Sequence, residues 1–259
     1  MRRLLDRWRA RREAQALARR AIPDELWALT LAQLPFLARW PAEDLERLRK
    51  LASLFLDEKE FTGAGGLVVD DAMAVNIAAQ ACLPVLNLGL QPYRSFVGIV
   101  VHPDEVVARR EVTDEDGVVH AYDEVLSGEA MEGGPVMLSW HDVSSAGESA
   151  DWGYNVVIHE FAHVLDMGDG EPDGVPPLPN AEAREAWIAV IDAEYERFCD
   201  AVDAGIDTVL DPYGATSVDE FFAVAAEGFF VTPKEMRAEH PALYEMLACY
   251  FMQDPAASC

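Results

Sequence analysis

Several things are missing from this sequence, and each absence closes off a class of protein. It has only four cysteines, Cys82, Cys199, Cys249 and Cys259, and none forms a CxxC pair. A disulfide framework and a zinc-thiolate knuckle are therefore excluded, and a reducing cytoplasm is the expected setting. No uninterrupted apolar run approaches the roughly 20 residues needed to span a bilayer, so no membrane span is expected. No apolar stretch follows the first arginines, so a secretory leader does not fit either. Positive charge is scarce, with 20 Lys and Arg against 46 Asp and Glu and a formal net charge of −26. So acidic a chain is not expected to bind nucleic acid directly or to adhere to anionic membranes.

The exception is the start. Residues 1–20, MRRLLDRWRARREAQALARR, hold eight arginines against Asp6 and Glu13. This segment reads either as a docking helix or as a solvated helix pairing with the chain's own acidic surface.

Half the residues are apolar, enough for a sizeable core. Helical periodicity runs from Ile22 to Phe61, and DDAMAVNIAAQACL at 70–83 reads as a buried helix ended by Pro84. TGAGG at 62–66 reads as a loop. Strands are expected over 95–103, over 118–131 as one bent strand or a hairpin, and over 133–143. Residues 144–151 read as a loop offering Ser149 or Asp151 as a helix cap. After a proline-rich loop at 169–180 come helices from Ala181, from about Val218, and over 233–251. The fold class expected is α+β, with a small mixed sheet and a helical N-terminal part. The boundaries drawn are a basic segment 1–21, a helical part 22–94, a catalytic part 95–252 and a tail 253–259.

The chemistry lies in YNVVIHEFAHVLDM, residues 154–167. HEFAH is an H-E-x-x-H motif, and at 3.6 residues per turn His159 and His163 stack on one helix face. Asn155 and Asp166 extend this polar seam, flanked by apolar stripes. A buried polar seam is costly unless satisfied. One metal ion satisfies both rings, and zinc suits two imidazoles, a carboxylate and a water. Glu160 lies beside the pair, placed as general base toward that water.

A catalytic zinc needs a third protein ligand. No histidine follows at Met167 to Gly170, so a carboxylate from a later helix is required. VDEFFAVAAEGFF offers Glu220 and Glu227, seven apart on nearly one face, and Glu220, nearer the helix start, is preferred. Glu227 then reads as a support for a ligand or as an acid bonded to a neighbouring loop. Tyr213, seven residues before Glu220, has a phenol able to hydrogen-bond an oxyanion. In the zincin-type sites that this motif resembles, an edge strand beside the active helix pairs with an extended peptide substrate, and PVMLSW is the expected strand, with Met137 and Ser139 on one face and Leu138 and Trp140 on the other. His141, in SWHDV, is not expected to be a ligand.

HEFAHVLD, DPYGATSVDEFFAV, LPVLNLGLQ at 83–91 and GPVMLSWHDV at 134–143 together resemble the zinc peptidases called Mlc titration factor A. The catalytic core also resembles the protease of anthrax toxin lethal factor, so a zincin-like core of gluzincin type is implied. By position, the resemblance makes His159, His163 and Glu220 the zinc ligands, Glu160 the general base and Tyr213 the oxyanion stabiliser, with Asp211 structural. It implies a cytosolic, aminopeptidase-like metallopeptidase acting on peptides or proteins. It also implies a rival role, the capture of a transcription repressor with weak or latent peptidase activity.

Overall fold

The computed structural model describes residues 13–113 and 119–258. Of the arginine-rich start, residues 1–12 lie outside the described residues. Residues 13–20 are helical, and Arg19 pairs with Asp57 at 2.8 Å.

Three helices follow: α1 (Asp24–Gln33), α2 (Ala42–Glu58) and α3 (Asp71–Cys82). α2 is amphipathic and buries Leu48, Ala52 and Phe55. α3 starts where the Asp70 carboxylate accepts the Met73 N–H at 2.8 Å, and it buries almost every residue, as its unbroken apolar run requires.

Four short strands form the main sheet: β1 (Glu60–Gly63), β2 (Gly98–His102), β5 (Gly128–Ala130) and β6 (Val136–Ser139). Their order is β1-β2-β6-β5, with β1, β2 and β6 parallel and β5 antiparallel to β6. A separate antiparallel ribbon joins β3 (Val106–Thr113) to β4 (Val119–Leu126). Within the stretch 118–131, of which residue 118 lies outside the described residues, the chain runs as a bent strand. β4 runs in the ribbon, β5 in the sheet, and the break falls at Ser127, whose carbonyl accepts the Ser139 N–H at 2.7 Å.

Several expectations are corrected. β6 stops at Ser139, and α4 (Trp140–Ser149) replaces the rest of the expected strand and most of the loop after it. The Ser139 hydroxyl accepts the Asp142 N–H at 3.4 Å, and Val143 and Ala146, three apart, bury one helix face. The N-cap position of the motif helix α5 (Val156–Asp166) falls at Asn155, beyond the expected Ser149 and Asp151, and the Asn155 side chain accepts the Ile158 N–H at 2.9 Å. PVMLSW is not an edge strand, because β6 pairs with β2 on one side and β5 on the other, and all four of its residues are buried. The strand at the sheet edge, packed against α5, is β5.

The remaining helices are α6 (Ala181–Asp203), α7 (Val218–Val231), α8 (Pro233–Glu239) and α9 (Pro241–Phe251). The helix expected over 233–251 breaks at His240, because Pro241 has no N–H to continue it. One core extends from Ile22 to Phe251. Within it α5 packs on α3, α7 and β5. Phe161, on the back of α5, meets Tyr93 at a ring distance of 5.0 Å, Phe55 at 5.7 Å and Phe96 at 5.8 Å. These contacts fix the rotation of α5, and with it the direction in which the two histidines point.

Candidate metal centre

His159 and His163 project from one face of α5 toward the first turn of α7, which carries Glu220. His159 Nε2 lies 3.0 Å from Glu220 Oε2 and 3.2 Å from His163 Nε2, and the third side of this triangle measures 3.4 Å. In a tetrahedral site with zinc–ligand bonds near 2.05 Å, any two ligand atoms stand about 3.3 Å apart. The three side chains therefore already hold the spacing one small cation demands.

The protonation logic points the same way. His159 Nδ1 is 2.8 Å from Glu227 Oε1. A neutral ring that donates there leaves a lone pair on Nε2. That lone pair faces the His163 ring and an acid. One proton joins one pair of these atoms, whereas a divalent cation satisfies all three at once. The local field suits positive charge as well. Burial works against protonation of His159, yet hydrogen bonds to Glu220 and Glu227 raise its proton affinity well above the ordinary range. Burial likewise opposes ionisation of Glu220, but the two histidines hold its carboxyl well below the usual carboxylate range.

Glu160 sits beside this triangle and is 5 % exposed. Burial pushes its carboxyl up to about 7, against the pull of His159 and His163, and the Ala130 backbone N–H bonds to it. The edge strand passes very close here. A Cβ on Gly128 would lie 2.4 Å from Glu160 Oε1 and 2.6 Å from its Cδ, so only glycine lets β5 approach the carboxylate.

Tyr213 lies in the turn leading into α7, where the Asp211 carboxylate accepts the Tyr213 N–H at 2.8 Å. Its hydroxyl donates to Glu220 Oε1 at 3.3 Å and its ring centre is 6.1 Å from that of His159. The phenol is half exposed, open to the cavity rather than packed away. That cavity, about 390 Å³, is lined by Leu126, Gly128, Tyr154, Val224 and Asp211 together with Glu160 and Tyr213.

The structure thus brings together His159, His163, Glu220, Glu160 and Tyr213, and Asp211 fixes the tyrosine turn. Among the described residues, this histidine–glutamate triangle is the only cluster of three such ligands with converging atoms. Glu227 combines both roles read for it: one oxygen meets His159 and the other accepts the Asn155 backbone N–H. His141 stands on the exposed first turn of α4, outside the cluster. The requirement for glycine at 128 and the double role of Asn155 escaped the sequence, since neither has a spacing signature.

The sequence profile described as glucose-regulated metallo-peptidase M90 matches residues 5–252. An uncharacterized protein of Synechocystis sp. is 37% identical over 254 residues, covering 97% of this chain and 92% of its own. The Mlc titration factor A of Salmonella arizonae is 33% identical over 247 residues, with coverage of 94% and 96%. That of Serratia proteamaculans is 35% identical over 234 residues, with coverage of 89% and 88%. Both the profile and these relatives span the motif helix, the tyrosine turn and α7 in one alignment, so the chain belongs to the glucose-regulated metallo-peptidase M90 family.

Proposed function

We propose that the chain is a zinc-dependent peptidase of gluzincin type, with a zincin-like core in which His159, His163 and Glu220 hold one Zn²⁺. The observation that carries this reading is the triangle of ligand atoms with sides of 3.0, 3.2 and 3.4 Å. A bound Zn²⁺ supplies Lewis-acid polarisation of a water and of the scissile carbonyl. The Glu160 carboxylate takes the proton of the attacking water and returns it to the leaving amine. Tyr213 donates its phenolic hydrogen to the oxygen on which negative charge develops. Glu227 holds His159 as the Nδ1–H tautomer, keeping Nε2 free for the ion.

An extended peptide adds along the edge strand β5, next to Glu160, and backbone bonding holds it in register whatever its side chains. Asp211, an exposed carboxylate on the cavity wall, suits a protonated amino terminus, which favours aminopeptidase-like cleavage. The unpaired Cys82, Cys199 and Cys249 fit a cytoplasmic setting.

The test is Glu160→Gln, assayed for zinc content and for hydrolysis of a panel of amino-acid and peptide chromogenic substrates. The variant retains one zinc per chain and loses most turnover. Full activity in this variant refutes the mechanism.

A second reading is favoured by the relatives named Mlc titration factor A. In it the chain binds a transcription repressor protein, and peptidase activity is weak or latent. Capture of a repressor that survives Glu160→Gln separates the two roles.

A further inference from the structure

Behind the metal triangle the core contains a line of polar side chains where leucine would pack at lower cost. Asn155 is 1 % exposed, Gln80 0 % and Asn76 2 %. Their neighbours on α3, Ile77, Ala78, Ala79, Ala81 and Cys82, are buried and apolar. The amides run in one direction. Asn155 Nδ2 donates to Gln80 Oε1 at 2.7 Å, Gln80 Nε2 to Asn76 Oδ1 at 2.7 Å, and Asn76 Nδ2 to Gln33 Oε1 at 3.2 Å.

Asn155 is the hinge of this line. Its Oδ1 caps α5 through the Ile158 N–H, and its backbone N–H bonds to Glu227 Oε2. The other oxygen of Glu227 meets His159 Nδ1 at 2.8 Å. From Gln80 to the imidazole there are thus three links: Gln80 holds the Asn155 amide, Asn155 holds the Glu227 carboxylate, and Glu227 holds the ring. Every group is buried, so a broken link is not repaired by solvent.

We propose that Gln80, supported by Asn76, is a positioning residue for the metal ligand His159, acting through Asn155 and Glu227. α3 is then part of the metal centre and not only packing behind it. This rests on His159 being a ligand, as argued above. Gln80→Met keeps the length of the side chain but cannot accept from Asn155 as an amide does. The Asn155 amide must then turn to find another acceptor, which disturbs its cap and its bond to Glu227, and the His159 ring loses its fixed direction.

The test uses the full chain and reads Zn²⁺ affinity by competition with a chromophoric chelator, beside the melting temperature of the metal-free protein. Removal of an outer partner of a metal-binding histidine weakens binding about 10- to 100-fold, the effect expected of Glu227→Gln. Gln80→Met, two links further back, is expected to weaken it by about three- to tenfold. In the Glu227→Gln background the same change should cost less than about twofold, since the link it acts through is already cut. Cys82→Ala, on the same helix with no polar link, lowers the melting temperature but leaves Zn²⁺ affinity unchanged.

The proposal is overturned if Gln80→Met binds Zn²⁺ as tightly as the wild type, or if its loss adds in full to that of Glu227→Gln. If Gln80→Met does not fold, Asn76→Leu takes its place with an expected loss of about twofold to threefold, and unchanged affinity there overturns it equally. Wild-type protein that binds no Zn²⁺ overturns the metal site itself. Wild-type binding together with unchanged Gln80→Met overturns only the relay.

Discussion

Replacing Gly128 by alanine tests how the sheet edge serves the catalytic base. The added Cβ would stand 2.4 Å from Glu160 Oε1, 2.5 Å from its Cγ and 2.6 Å from its Cδ. Non-bonded carbon contacts settle near 3.5 Å, so something must move by about 1 Å. Gly128 is not among the residues with left-handed backbone, so alanine meets no φ penalty there. The strand is also fixed by its pairing with Leu138. The side chain of Glu160 is the softer partner, and it gives way. A displacement of about 1 Å at a reacting group costs about 100-fold in rate, or about 2.7 kcal/mol of transition-state stabilisation. The three atoms nearest the new methyl group all belong to Glu160, none to His159, His163 or Glu220. Zinc content therefore stays at one per chain, and Tm shifts by less than about 3 °C. The assay is kcat on a chromogenic peptide, with metal content and a melting curve on the same sample. Wild-type kcat in Gly128→Ala, or loss of zinc with the activity, refutes the reasoning.

Other perturbations have equally definite outcomes. Tyr213→Phe removes the hydroxyl while leaving the ring, so kcat falls about 10- to 100-fold with KM and zinc content nearly unchanged, measured by steady-state kinetics. Lys59 is 8 % exposed, donates to the Phe96 carbonyl at 2.6 Å and to the Tyr93 carbonyl, and lies 3.7 Å from the centre of the Phe96 ring. Lys59→Met strands both carbonyls under the Phe161 cluster and lowers stability by about 1–3 kcal/mol in urea unfolding. Asp166 is fully buried, one of its oxygens accepts the Gly174 N–H at 2.8 Å, and burial raises its carboxyl from 3.8 to about 6. A folded-state value above the unfolded one gives stability that is present below pH 4 and lost as pH rises through 6. Asp166→Asn lacks that loss, so the difference between variant and wild type moves in the variant's favour by about 2–3 kcal/mol between pH 4 and 7, read by denaturant unfolding of chelator-treated protein.

The motif helix was legible because two periodicities coincide in it, an apolar stripe for burial and an i, i+4 histidine pair for a shared ligand. Glu220 was legible because a carboxylate in the first turn of an otherwise buried helix calls for a partner. β1 was hidden by its four residues, and β3 by the charges in VVARREVT, which blur any alternation. The helix Trp140–Ser149 was mistaken in part for strand because VMLSWHDV is rich in residues that favour strands until the Ser139 cap is recognised. The remaining pieces of the site depend on packing between distant elements. Gly128 matters because β5 crosses α5, and the double role of Asn155 because α5 packs on both α3 and α7. No local spacing records such crossings.

Zinc K-edge absorption on the purified protein, with metal quantified on the same sample, addresses the donor triangle directly. The expected spectrum shows one ion per chain, a shell of nitrogen and oxygen at about 2.0–2.1 Å with two imidazole signatures and no sulfur, and collapse of that shell in His163→Ala. Sulfur in the inner shell, or an unaltered spectrum in His163→Ala, contradicts the joint grip of His159, His163 and Glu220 on one cation.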